Sequence, residues 1–240
     1  MTEPAILKAA LDCAARGWQA FPLKPQAKEP ATWRGFYNAT TNPATLHRWF
    51  ANGFPYNLAV RMGEASGVWV LDVDGHFGFR NLAWLEREHG RLPSTLISFT
   101  SNGCHFWFLT NGTSIPSCIG KIAAGIDVRA DGSYVAAPPS VHPDGPIYRW
   151  SNHGVPPVPA PEWLIHLAQR KPSLPTRVPD GTTASRGAVD FPARATAESS
   201  AAYGQGRDMA RNCREYQGVT EWMRTSNPRT IRQFRQGLPR

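Results

Sequence analysis

Asp72 and Asp74 close a run of mostly apolar residues, Val68-Trp69-Val70-Leu71-Asp72-Val73-Asp74, which Gly75 ends. β-branched and aromatic residues in such a run specify a strand. Side chains alternate along a strand, so the two acids share one face while Leu71 and Val73 turn to the other, into the core. Paired carboxylates repel, and an apolar setting makes them costly, unless a cation lies between them. A hard divalent cation such as Mg²⁺ or Mn²⁺ suits oxygen ligands of this kind. A solvent-facing strand end beside a glycine turn would also account for the pair. Asp127 lies between Ile126 and Val128, again an acid among apolar neighbours. Three such carboxylates on adjoining strands would serve two-metal phosphoryl or nucleotidyl transfer.

His105 follows the small-residue turn Ser101-Asn102-Gly103-Cys104, where a ligand can approach the backbone closely. An imidazole there can meet a phosphate or a sugar hydroxyl; the bland alternative is a structural histidine. Lys24 and Lys28 lie in the Pro-rich loop Pro22–Pro30, which suits either a triphosphate or plain solvation. Arg61 and Arg129 fall in or beside the strands that carry the acids, placed to neutralise them or to bind substrate phosphates. Asp131, before Gly132, reads as a turn residue. Gly63-Glu64-Ala65-Ser66-Gly67 is a small-residue turn without the Gly-Lys-Ser/Thr of a phosphate-binding P-loop, so ATPase and kinase readings are weak.

These residues need strands beneath them, and the chain supplies strands and helices in order. Glu3-Pro4 opens a helix carrying Ile6, Leu7, Ala10, Leu11 and Ala14 at helical spacing, with Gly17 as its stop. Asn42-Pro43 opens a second, and Phe77–His89 a third. Strands are expected over Trp18–Leu23, Asn57–Met62, Val68–Asp74, Thr95–Thr100 and His105–Thr110, the last two joined at Asn102-Gly103. Ile126–Arg129 and Tyr134–Ala137 are expected to form another hairpin through Asp131-Gly132. Ile147–Trp150 is a last strand, and Pro161–Gln169 a closing helix.

Of 240 residues, 41% are hydrophobic and 18% charged, enough apolar material for a core. No apolar run approaches the length of a membrane span, and no signal peptide opens the chain. The scattered cysteines, Cys13, Cys104, Cys118 and Cys213, argue against a zinc ribbon or disulfide scaffold and fit the cytoplasm. Net charge is +8, but it is uneven. Residues 1–170 hold 14 Lys/Arg against 12 Asp/Glu, whereas residues 171–240 hold 12 against 6. The expected organisation is a catalytic domain over 1–168, a Pro/Ser/Thr-rich linker over 169–202 and a basic tail over 203–240, part of it helical. That tail suits phosphate contact and salt-sensitive nucleic-acid binding.

Taken in order, the motifs resemble the bifunctional DNA primase–polymerase family of the archaeo-eukaryotic primase superfamily. Carrying the likeness are Ala10–Leu23, the Lys24–Pro30 loop, Ala39–Pro43, Asn57–Gly75, Thr100–Phe108 and GIDVRADGSYVAAPPSVHPDG from Gly125 to Gly145, within residues 5–168. The resemblance implies an α/β (α+β) fold, an N-terminal α/β module packed on an RRM-like sheet with the site in the cleft between. The family's two-acid motif falls on Asp72 and Asp74. Its small-residue, any-residue, His motif falls on Gly103-Cys104-His105, and its hydrophobic-Asp motif on Ile126-Asp127.

By resemblance, Asp72, Asp74 and Asp127 bind Mg²⁺ or Mn²⁺ and His105 contacts the incoming nucleotide. Arg129, Lys24 and Lys28 are the further phosphate contacts. The implied activity is primer synthesis and DNA extension from NTPs or dNTPs on a single-stranded DNA template. Many relatives continue into a helicase or a helical module. This chain continues into the linker and basic tail, so the expectation is that it works alone or with a helicase in trans. The alternatives are a non-catalytic single-stranded-DNA-binding replication accessory and a metal-dependent nuclease or phosphodiesterase.

Overall fold

The computed structural model describes residues 3–151 and 154–170. Apart from residues 169 and 170, the expected linker and tail lie outside the described residues. Helix α1 spans Ala5–Ala15, with Pro4 as N-cap, and Gly17 at φ 78° turns the chain into β1, Ala20–Leu23. The Asn42 side chain caps α2, Pro43–Phe50, accepting a hydrogen bond from Thr45 N at 3.1 Å. Such a cap contributes about 1 kcal/mol. The elements that follow are β2 (Asn57–Arg61), β3 (Val68–Asp74), α3 (Gly75–His89), β4 (Leu96–Phe99), β5 (Gly103–Leu109) and β6 (Cys118–Ala123). Then come β7 (Ile126–Arg129), β8 (Tyr134–Ala137), β9 (Arg149–Trp150), β10 (Val158–Pro159) and α4 (Glu162–Gln169).

The strands form a three-stranded sheet, β1-β2-β8, and a seven-stranded sheet. The larger runs β6-β7-β3-β5-β4-β9, all antiparallel, with β10 parallel to β5. Alternation along β3 feeds two cores. Trp69, Leu71 and Val73 pack with Leu82 and Leu85 of α3 and with Leu164 and Ala168 of α4. Val68 and Val70 pack with Leu7 and Ala10 of α1, Leu46 and Phe50 of α2, and Leu58, Val60 and Val135 of the small sheet. A third cluster, Phe21, Leu23, Ala59, Ala136 and Tyr148, lines the other face of the small sheet. Fully buried Trp107 stacks on Trp18 at 5.1 Å between the layers. Truncating such a side chain costs about 3–5 kcal/mol.

The fold is therefore mixed α/β with antiparallel sheets, as expected. One pairing differs. Asp131-Gly132 does not close a hairpin: β7 is flanked by β6 and β3, and β8 pairs with β2 in the small sheet. Both edges of β7 are already taken, so the chain crosses to the other sheet. The small sheet thus combines two early strands with a late one. The sequence pattern does not mark β6, because Gly120 and Lys121 interrupt its apolar run. Among the described residues, no helix is long and apolar enough to cross a membrane.

Candidate active site

Antiparallel register sets the site. Asp127 of β7 lies opposite Asp72 of β3, Asp72 opposite His105 of β5, and His105 opposite Ser98 of β4. Directly opposed residues have Cβ atoms about 4.5–5.5 Å apart and share a face. One rung thus carries two carboxylates, an imidazole and a hydroxyl across four strands. By strand parity it lies on the face of Val70 and Trp107, which looks toward the small sheet. Asp74 is two residues further along the same face and exposed at the start of α3.

Backbone contacts fix this corner. Asp74 N donates to Gly125 O at 2.8 Å, and Gly75 N to Asn102 O at 2.8 Å. A Cβ on Gly103 would stand 1.9 Å from Val73 O, and one on Gly125, at φ 74°, 2.8 Å from Asp74 O. Gly103 is therefore demanded by its pairing with β3. The expected reason, room for a ligand beside the turn, is replaced by the protein's own backbone.

Arg129 joins the acids. Its Nη2 donates to Asp127 Oδ2 at 2.7 Å, and its Nε lies 3.6 Å from Asp72 Oδ2. Asp127 Oδ1 accepts from Gly120 N at 2.8 Å, so both Asp127 oxygens are engaged. Asp72 is not satisfied in this way. Among the described residues its Oδ1 is buried without a hydrogen-bond partner, as is His105 Nδ1. His105 Nε2 approaches Asp72 Oδ1 to 3.4 Å without forming a hydrogen bond. Burial pushes the Asp72 carboxyl up to about 6, outweighing the Arg129 guanidinium, which pulls it down. Asp74 is raised as well, by the protein crowded around it despite its exposed tip and then by the charge of Asp72. Burial drives His105 down to about 3, so its imidazole is neutral at neutral pH.

A buried carboxylate oxygen with no partner is costly and rarely kept without a use. Asp72, with Asp127 opposite it and exposed Asp74 two residues along, offers the hard oxygen donors that suit Mg²⁺ or Mn²⁺. Among the described residues, no group of three or more His, Cys, Asp or Glu is arranged to hold a metal as it stands. The guanidinium of Arg129 neutralises Asp72 and Asp127 instead.

The two loop lysines part company. Lys28 is near enough to bias Asp72, Asp74 and His105 electrostatically, whereas Lys24 is paired with Glu29 at 2.6 Å. Arg61 lies over the rings of Phe36 and Tyr37 and forms no salt bridge with the acids among the described residues. The motifs did not single out Tyr148. It is buried with its ring 6.1 Å from His105, and burial and then the charges of Asp72 and Asp74 raise its hydroxyl pKa. The ring of His142 is 5.8 Å from that of Tyr148. Its Nδ1 accepts from Asp144 N at 3.1 Å.

Compared one by one with curated proteins, the chain has no match. A family model does match, that of "Bifunctional DNA primase/polymerase, N-terminal", over residues 10–163. The match covers well over half of the chain and spans α2, both sheets and the whole Asp127–Asp72–His105 rung. The chain therefore belongs to the bifunctional DNA primase/polymerase N-terminal domain family.

Proposed function

We propose that this chain is a template-directed nucleotidyltransferase that makes primers and extends DNA on a single strand. The observation that carries this is the rung of Asp127, Asp72 and His105, with its unpartnered Asp72 oxygen. Asp72, Asp74 and Asp127 would hold Mg²⁺ or Mn²⁺. Bound there, the ions would activate the attacking 3′-hydroxyl and offset triphosphate charge. Neutral His105 would hydrogen-bond the incoming nucleotide without competing for the cations. Arg129, released from the acids as they take up metal, would turn to the phosphates, where its fork fits oxygen pairs. Lys28 would add positive charge from the loop, and Lys24, held by Glu29, would act at longer range. The seven-stranded sheet plays the part of the family's RRM-like layer, and the small sheet with α1 and α2 that of its N-terminal module. Residues 171–240, with their excess of arginine, would tether template DNA.

The test is unprimed synthesis on single-stranded DNA with Mg²⁺ or Mn²⁺, comparing NTPs with dNTPs. Product strands and pyrophosphate are expected. Shortened strands would identify a nuclease, and DNA binding without turnover an accessory protein.

A further inference from the structure

Some of the largest exposed rings cluster in one short segment of the N-terminal half. Trp33 is 89% exposed, just before the 3-10 turn Gly35–Asn38, and Tyr37, within that turn, is 63% exposed. Packing explains neither, because an indole left this open forgoes most of the stabilisation its burial would bring. Arginines interleave the rings. The Arg34 guanidinium lies 5.7 Å from the Trp33 ring centre. Arg61, reaching from β2, lies 5.5 Å from both Phe36 and Tyr37, which are themselves stacked at 4.4 Å. Neither Arg34 nor Arg61 forms a salt bridge among the described residues.

This patch is continuous with the site. Phe36 meets Tyr134 at 6.0 Å, and Tyr134 donates its hydroxyl proton to Lys28 O at 2.9 Å. Phe36 and Tyr134 pack against the cluster that holds Tyr148, whose ring is 6.1 Å from that of His105. Aromatic faces open to solvent and alternating with unpaired guanidinium groups match the two parts of a single nucleic-acid strand. Unstacked bases lie on rings, and phosphates meet arginines. A duplex hides its base faces, so the same surface would hold it less well.

We propose that Trp33, Tyr37, Arg34 and Arg61 form a base-stacking platform that leads single-stranded template DNA to the Asp72 cleft. The assignment of template to this strand rests on the polymerase reading above; the binding itself does not.

The experiment measures fluorescence anisotropy of a labelled oligothymidylate with the full chain, in chelator, over a range of salt. Trp33→Ala with Tyr37→Ala should weaken binding by about 10-fold or more, the size expected when base stacking is removed, with an unchanged salt slope. Arg34→Gln with Arg61→Gln should instead flatten the slope, by about 0.7 for each phosphate no longer neutralised. Thermal melting should be unchanged in the Trp33 and Tyr37 variants, whose rings are mostly in water. Trp33→Phe with Tyr37→Phe should retain most of the affinity. Wild-type affinity in the double-alanine variant would overturn the platform. So would an equal loss for duplex DNA, or a loss of self-association in place of DNA affinity. Primer synthesis by the wild type with unaltered binding by the variant removes the platform alone. The expected loss of binding with no synthesis by the wild type leaves the platform and removes the polymerase reading.

Discussion

Asp72 and Asp131 lie at opposite extremes of carboxylate satisfaction within the same sheet region. The Asp131 carboxylate accepts from Glu64 N at 3.0 Å, Ser114 Oγ at 2.7 Å and Ile115 N at 3.1 Å. Its backbone N donates to Ile115 O at 3.0 Å, and its carbonyl accepts from Ser117 Oγ at 3.0 Å. It ties the end of β7 to the β2–β3 turn and to the segment before β6. Asp72 is buried, has one oxygen with no partner, and shares an arginine with Asp127. The sequence already set Asp72 and Asp131 apart, the one as a motif acid and the other as a turn residue, and the hydrogen bonds give the physical content of that difference. A carboxylate that accepts three hydrogen bonds from three separate segments holds the fold together. One that is buried and under-satisfied is kept against the interest of stability, which points to a ligand.

The largest effect should come from Asp72→Asn. The oxygen geometry is nearly retained but the negative charge is lost, so nucleotide incorporation should fall by roughly 10³-fold or more, as expected when a metal-holding carboxylate is neutralised. The melting temperature of the metal-free protein should hold or rise. Incorporation within a few-fold of wild type would remove Asp72 from the chemistry. Asp131→Ala should do the reverse. It strands three donors, and at about 1 kcal/mol or somewhat more for each the fold should lose roughly 3 kcal/mol in chemical denaturation. Activity per folded molecule should persist. An inactive but stable Asp131→Ala protein would erase the distinction between the two acids.

How much of this was legible depended on whether the signal was local. Asn42-Pro43 and Gly17 mark helix ends through their own backbone and side-chain chemistry, and the structure places helices α1 and α2 there. The parity of Asp72 and Asp74 followed from strand geometry alone. Asp131-Gly132 misled because a turn signal does not say whether the neighbouring strand edge is free. β7 had no free edge, and the role of Asp131 is tertiary, fixed by donors 16 to 67 residues away. Gly103 was legible as a requirement for a small residue but not for the right reason, since only pairing with β3 reveals the 1.9 Å clash. Tyr148 and the divergence of Lys24 from Lys28 depend on how the small sheet meets the large one, which no local pattern encodes.

A smaller effect tests how the under-satisfied acids are held in the resting protein. Arg129→Gln removes the positive charge that Asp72 and Asp127 share. Without it the two carboxylates repel, so the variant should depend more on divalent cation for its stability. The gain in melting temperature on adding Mg²⁺ or Mn²⁺ should exceed that of wild type. If Arg129 also takes the triphosphate, KM for nucleotide should rise by about 10-fold, the scale of one charge-assisted contact. An unchanged KM with the larger metal response would confine Arg129 to holding the acids apart.

The smallest effect is a pH dependence centred on Asp72. In the folded, chelator-treated protein its carboxyl is raised to about 6 from an ordinary value of 3.8, with burial the leading cause. An acid whose folded pKa is raised binds protons more readily folded than unfolded, so ionising it costs stability as pH rises between those values. Above about pH 6 the cost is fully present, and below about pH 4 both states are protonated and it vanishes. Asp72→Asn removes the titration. Its stability advantage over wild type should therefore be greatest above pH 6, shrink as pH falls, and disappear near pH 4. His105 is common to both proteins and largely cancels in the difference, whereas Asp74, raised in part by the charge of Asp72, is relieved in the variant and adds to the difference in the same direction. Denaturation curves of the two proteins across that range, in chelator, measure it directly. A difference that stays flat with pH would mean that Arg129 compensates the Asp72 charge in full. Asp72 would then resemble Asp131 more closely than its unpartnered oxygen indicates.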